Sequence, residues 1–216
     1  MERVFLAGLM IFLAGCTTAG SQTKPSDNTL HLSLPELTVK VGSRFKYLGD
    51  IEYTKTTPYE SGLDPTGPTV HEAIFAVLDG SGIKEICSVR TTTSNAGFSE
   101  NFFEKVEGKL EEGVQVLGDE YFHYYIKVIT PSAAAPATNY IAGKGYTMPG
   151  CMLSKQFGQR AGDGATVLFS LIYLEDLESS GFDCSDWQAS LIGSQWEYLK
   201  GFDKRSTAPF TVLRSE

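Results

Sequence analysis

The most reactive group this sequence offers is the thiol in the run Gly181-Phe182-Asp183-Cys184-Ser185. Behind it Trp187, Leu191, Ile192, Trp196 and Leu199 are spaced as an apolar helical stripe, with Asp183 or Ser185 in place to cap it. A cysteine opening a helix feels the positive end of the dipole, which lowers its pKa and raises the thiolate fraction. The densest aromatic run is Tyr121-Phe122-His123-Tyr124-Tyr125. On a strand, Tyr121, His123 and Tyr125 share one face, a candidate platform for a sugar or a partner protein. Phe122, Tyr124, Ile126 and Val128 share the other, which is the expected core face. Little else is arranged for chemistry. The three histidines, His31, His71 and His123, are not at metal-ligand spacing, and no Gly-x-Ser-x-Gly elbow occurs. Asp79-Gly80-Ser81-Gly82 lacks the ligand series of a calcium loop, and Gly143-Lys144-Gly145 lacks the Lys-Ser/Thr of a phosphate loop. The acidic pairs Glu111-Glu112, Asp119-Glu120 and Glu175-Asp176 lie beside turns and read as solvated charge. Neither a metal nor a cofactor is expected.

Two short segments carry resemblances. Met1-Glu2-Arg3 precedes an apolar run, Val4 to Leu13, whose ten residues would rise about 15 Å as a helix, half of a bilayer core. Leu13-Ala14-Gly15-Cys16, which ends it, resembles the lipobox of bacterial lipoprotein precursors. The resemblance implies diacylglyceryl transfer to the Cys16 thiol, removal of residues 1–15 and acylation of the new amine. Thr17, where an Asp would signal inner-membrane retention, implies the outer membrane, facing the periplasm. Two or three acyl chains hold a protein durably at a bilayer, so the membrane is the expected partner. The second segment, Asp183-Cys184-Ser185, resembles the nucleophile region of NlpC-type papain-like cysteine peptidases. No histidine follows Cys184, so this resemblance implies an imidazole placed ahead of it, as in circularly permuted relatives. His71, opening the strand-like His71-Glu72-Ala73-Ile74-Phe75, is then the candidate catalytic partner.

With Cys16 taken by lipid, Cys87, Cys151 and Cys184 remain. An envelope compartment permits disulfides, and three thiols allow three single pairs. The turn-like surroundings of Cys151 and Cys184 favour that pair, while Cys87 in a strand pattern reads as a small buried hydrophobe. A bridge at Cys184 and a nucleophile at Cys184 exclude one another.

These groups must be positioned by a chain of 216 residues, 42% hydrophobic and 20% charged, with 22 glycines and a net charge of −8. Such a balance excludes a disordered chain, a collagen-like repeat and a polytopic membrane protein. It also speaks against nucleic acid as a partner, since no basic stripe stands out. Residues 16–29 contain no large apolar side chain and read as a flexible tether reaching at most about 45 Å. Residues 30–216 read as one globular domain.

Within it, alternation marks strands at Leu30 to Leu34, Leu37 to Val41, Phe45 to Tyr47 and Ile51 to Tyr53. Pro58, Gly62, Pro65, Gly67 and Pro68 mark a loop. Hairpins are expected for His71–Leu78 with Ile83–Thr93 and for Val114–Leu117 with Glu120–Thr130, and Ala165–Leu174 suits a central buried strand. Residues 131–139 read as an Ala/Pro-rich loop. The Trp187–Leu199 stripe gives one C-terminal helix, interrupted by Gly193, followed by a closing strand within Thr207–Leu213. The fold class is therefore α+β, a mainly antiparallel sheet with one C-terminal helix. The expected role is a lipid-anchored, non-enzymatic structural, assembly or binding domain, with a Cys184–His71 thiol hydrolase and a glycan- or peptidoglycan-binding module as alternatives.

Overall fold

In the computed structural model the described residues are 25, 27–55, 67–99, 106–187 and 191–214. Cys16 and the whole lipobox lie outside them. Ten strands form two antiparallel sheets. The small sheet is ordered β1 (Thr29–Ser33), β2 (Glu36–Val41), β10 (Phe210–Arg214). The large sheet contains β3 (Lys46–Thr54), β4 (Thr69–Asp79), β5 (Gly82–Thr93), β6 (Lys109–Leu117), β7 (Glu120–Ile129), β8 (Met152–Ala161) and β9 (Val167–Asp176). Its spatial order is β3-β4-β5-β9-β8-β7-β6, antiparallel throughout.

Period-two patterning explains how the sheets stack. Leu30, Leu32, Leu37, Val39 and Val41 turn inward from the small sheet, with Phe210 and Val212 of β10. They meet Ala73, Phe75, Cys87, Val89, Phe122, Phe157, Phe169 and Leu171 on the first face of the large sheet. Burying each such large side chain contributes on the order of 1.5–3 kcal/mol. The same face is completed by helix α2 (Gly193–Thr207) through Leu199 and Phe202. Charged residues such as Lys46, Asp50 and Glu52 on β3, and Lys109, Glu111 and Glu112 on β6, occupy the two edge strands and discourage further pairing.

The second face of the large sheet is covered differently. Helix α1 (Pro136–Gly143) lies over one end of it, burying Ile141 into a separate cluster with Leu48, Ile74, Ala76, Ile83, Ile86 and Met152. Pro136 suits the first turn of this helix, where its missing N–H has no partner to lose. No helix among the described residues is long and apolar enough to cross a membrane.

The α+β class, the two hairpins and β9, in the middle of the large sheet, match the sequence expectation. Five details do not. Two α-helices stand among the described residues, because the Ala/Pro-rich stretch contains α1. The tether's last residues belong to the fold: Asn28 donates to the Phe45 and Gly42 carbonyls at 2.7 and 3.3 Å, and Thr29 begins β1. The helical stripe was phased too early. Trp187 sits in a short 3-10 turn, Gly193 opens α2 rather than interrupting it, and Ile192 and Trp196 are exposed. The cap is neither Asp183 nor Ser185, since the Gln195 side chain accepts from the Ile192 N–H at 2.7 Å. Finally, β8 has no counterpart in the sequence reading.

Candidate functional site

The strand registers align three rows of side chains across the second face. One row runs Glu72 (β4), Arg90 (β5), Ser170 (β9), Gly158 (β8), and the next Ile74, Ser88, Ile172, Gln156, Tyr125. The third runs Ala76, Ile86, Leu174, Ser154, Lys127. The middle of a sheet covered by a helix would ordinarily be filled by large apolar side chains. Here Ser88, Ser154 and Ser170 stand there, and their small size leaves a cavity of about 450 Å³ between the sheet and α1. That volume is in the range of small-molecule sites, about 300–1,000 Å³.

The cavity has two chemical halves. Ile74, Ile86, Ile172 and Leu174 from the sheet, with Ile141 of α1 and Met148 above them, form an aliphatic end. At the other end lie Lys55, Glu72, Arg90 and Thr92. Arg90 donates from Nε and Nη2 to the same oxygen of Glu72, at 3.1 and 2.9 Å, and Glu72 is only 3% exposed. Burial would lower the Arg90 pKa, but the Glu72 charge and hydrogen bonds outweigh it and hold the guanidinium above its ordinary value. Lys55 is lowered, first by burial and then by the Arg90 charge, with Glu72 opposing. Along the β7–β8 flank, the Tyr125 hydroxyl donates to Gln156 at 2.7 Å and Gln156 donates to Ser170 at 3.2 Å. Burial pushes Tyr125 up to about 12, with Arg90 pulling back. Ser88 is 2% exposed and lines the cavity, and its hydroxyl takes no side-chain partner among the described residues.

The residues marked in the sequence are placed elsewhere or differently. Cys184 is bridged to Cys151, with Cα atoms 5.5 Å apart. The bridge fastens the start of β8 to the turn Cys184–Trp187, which packs against β7. It closes a separation of 33 residues, a constraint that contributes about 3–4 kcal/mol through the unfolded state. Cys87 is the free, buried thiol expected of it. The thiol–imidazole pair is not assembled: a bridged Cys184 has no thiolate, and its sulfur lies 3.6 Å from Thr130, past the far end of β7. His71 is near the start of β4, its Nδ1 3.1 Å from Glu52 across the β3–β4 ladder. Four strand spacings, about 19 Å, separate β4 from β7.

The aromatic run divides as expected between faces, yet its outward face is no three-ring platform. Tyr121 is 70% exposed and His123 is exposed, whereas Tyr125 is 6% exposed and forms a cavity wall. Beside Tyr121, Val114 and Val116 of β6 are also exposed. A second concavity of about 600 Å³ beside the disulfide is lined by Leu110, Val128, Thr130 and Trp187, and its Lys109 is engaged by Glu112. It has no converging set of polar groups. Among the described residues no group of histidine, cysteine, aspartate and glutamate is clustered to hold a metal ion.

No family model, no curated protein and no solved structure matches this chain. The candidate site therefore rests on its own geometry. Lys55, Glu72 and Arg90 carry no motif, and the one signal available in sequence was the charge of Glu72 beside the apolar run Ala73–Leu78 and of Arg90 after Val89.

Proposed function

We propose that this chain is a lipid-anchored protein of the bacterial envelope, attached through Cys16, whose domain is a non-enzymatic binding module for a small molecule held in the cavity under α1. The observation that carries the binding role is the set of small hydroxyl side chains, Ser88, Ser154 and Ser170, one in each of the three rows, where a core would have large ones. A sheet that merely needed covering would gain stability by filling that space. The lipobox supports the anchor, and the disulfide at Cys184 speaks for binding rather than thiol catalysis.

The test takes the protein from its own envelope. The wild type should enter the detergent phase on phase separation and begin at an acylated Cys16. Cys16→Ser should stay in the aqueous phase. Native mass spectrometry should then show a noncovalent small-molecule adduct that Ser88→Leu, filling the cavity, abolishes without lowering the melting temperature. An aqueous, unacylated wild type refutes the anchor. An adduct indifferent to Ser88→Leu, or no adduct, refutes the cavity as the binding site.

A further inference from the structure

Resting on that binding role, the chemistry of the cavity narrows the ligand. We infer that it takes a single-tailed amphiphile with an anionic head, the head held by Lys55 and Arg90 and the tail laid along Ile74, Ile86, Ile172 and Leu174 beneath α1.

Charge selects the head. Among the described residues the polar end gathers two cations, Lys55 and Arg90, around one carboxylate, Glu72, and a third lining cation, Lys127, stands over the Tyr125 ring on the β7 flank. Arg90 commits Nε and Nη2 to a single Glu72 oxygen, leaving donors of its five-donor fork for a second anion. Lys55 has no carboxylate bonded to it among the described residues, so these residues carry one more positive than negative charge at this end. Removing such a charge from water is costly unless an anion meets it. A cationic head would meet that excess charge and be repelled.

Shape and surface select the tail. From Arg90 to Ile86 along β5, and from Ser170 to Leu174 along β9, the cavity floor runs four residues, about 13 Å. Its far wall is aliphatic, closed by Ile141 and Met148. A sugar would call for flat aromatic faces, and Tyr125 is the one aromatic ring among the lining residues. A carboxylate and a phosphate monoester share the required chemistry, so both are tested.

The probes are decanoate, decyl phosphate, decanol and decyltrimethylammonium, titrated calorimetrically into residues 16–216 carrying Cys16→Ser. Decanoate, decyl phosphate or both should bind at least tenfold tighter than decanol, and decyltrimethylammonium weakest. The tighter of the two anions identifies the head group. Lys55→Met, at a half-buried position that tolerates a neutral chain, should cost about tenfold for the anions and leave decanol unchanged. Lys55→Met combined with Glu72→Gln and Arg90→Met, which removes all three charges of this end together, should abolish the preference for anions. Decanol binding as tightly as decanoate overturns the inference and leaves the binding role intact. So does an envelope-derived adduct that is not an anionic amphiphile, or the failure of all four probes while that adduct persists. Unchanged decanoate affinity in Lys55→Met overturns the assignment of the head to Lys55.

Discussion

Lys155 shows how much a single side chain can depend on distant sequence. It sits in β8 on the first face of the large sheet, 0% exposed, between the rings of Tyr124 and Phe157. Its ammonium donates to Gln115 on β6 at 2.6 Å and to Asp203 on α2. Burial lowers its pKa, and Asp203 partly restores it. An ion pair in such a place is weak evidence for stability, because desolvating the charge offsets most of the attraction. Replacing it with an apolar chain of similar length should therefore be mild, while stranding it should not. Lys155→Met should stay within about 1 kcal/mol of the parent in urea unfolding, whereas Asp203→Ala should lose about 2–3 kcal/mol. In the Lys155→Met background Asp203→Ala should cost under about 1 kcal/mol, so the double-mutant cycle isolates the pair. Equal losses from both single variants in the parent chain would show instead that the ion pair is itself strongly stabilising.

At the scale of elements, the docking of α1 turns on one glycine. Gly49 lies at a bulge in β3 with φ of +139°, and a Cβ there would come within 1.9 Å of the Tyr140 hydroxyl. That hydroxyl donates to the Leu48 carbonyl at 3.2 Å and fastens the helix that roofs the cavity. Gly49→Ala should cost about 2–4 kcal/mol from backbone strain and displacement of Tyr140 together. Adding Tyr140→Phe should recover only the clash, leaving about 1–2 kcal/mol, and a full recovery in thermal unfolding would exclude the backbone contribution. The same elements show what the sequence could and could not reveal. The β4–β5 hairpin was legible because Asp79-Gly80-Ser81-Gly82 separates two long strand patterns, and β9 because Val167 to Leu174 is almost wholly apolar. β8 was not, because Lys155 stands on the inward face and is accommodated by partners 40 and 48 residues away. α1 buries a single side chain, Ile141, too little for a periodic signal. α2 keeps Gln195 and Ser206 on its buried side beside Leu199 and Phe202, so the apolar stripe misplaced its start. The cavity was invisible for a related reason. Ser88, Ser154 and Ser170 are unremarkable polar positions in their own strands, and only the order β5-β9-β8 brings them to one cavity floor.

For the whole molecule, both faces of the large sheet store tyrosines in their protonated form, and this sets how the fold responds to alkali. Tyr125, on the cavity face, is pushed up to about 12 by burial, and Tyr198 likewise to about 12 by burial and then by the Glu175 carboxylate. Tyr173, buried on the core face, is raised further by burial and by its hydrogen bonds to Glu85 and Glu175. In the unfolded chain each of these phenols loses its proton near pH 10. Between that pH and the raised folded value the unfolded state binds fewer protons, so stability falls as pH rises. Tyr125 and Tyr173 should each remove up to about 1.4 kcal/mol per pH unit in that window. Lys55 and Lys155 act with the opposite sign: their lowered values mean the folded state releases protons first, so their contribution grows with pH up to about 10.5 and then ceases. The two effects together place a stability maximum close to pH 10 on the alkaline side, followed by a steep decline as the lysine gain ends and the tyrosine loss accumulates. Urea midpoints measured from pH 8 to 12 should trace that shape, and Tyr125→Phe should flatten the decline. Part of the tyrosinate absorbance should develop only in step with the loss of far-ultraviolet ellipticity. Complete phenol ionisation in a chain that still has its native ellipticity would contradict the buried, carboxylate-bonded setting of Tyr173 on which the prediction stands.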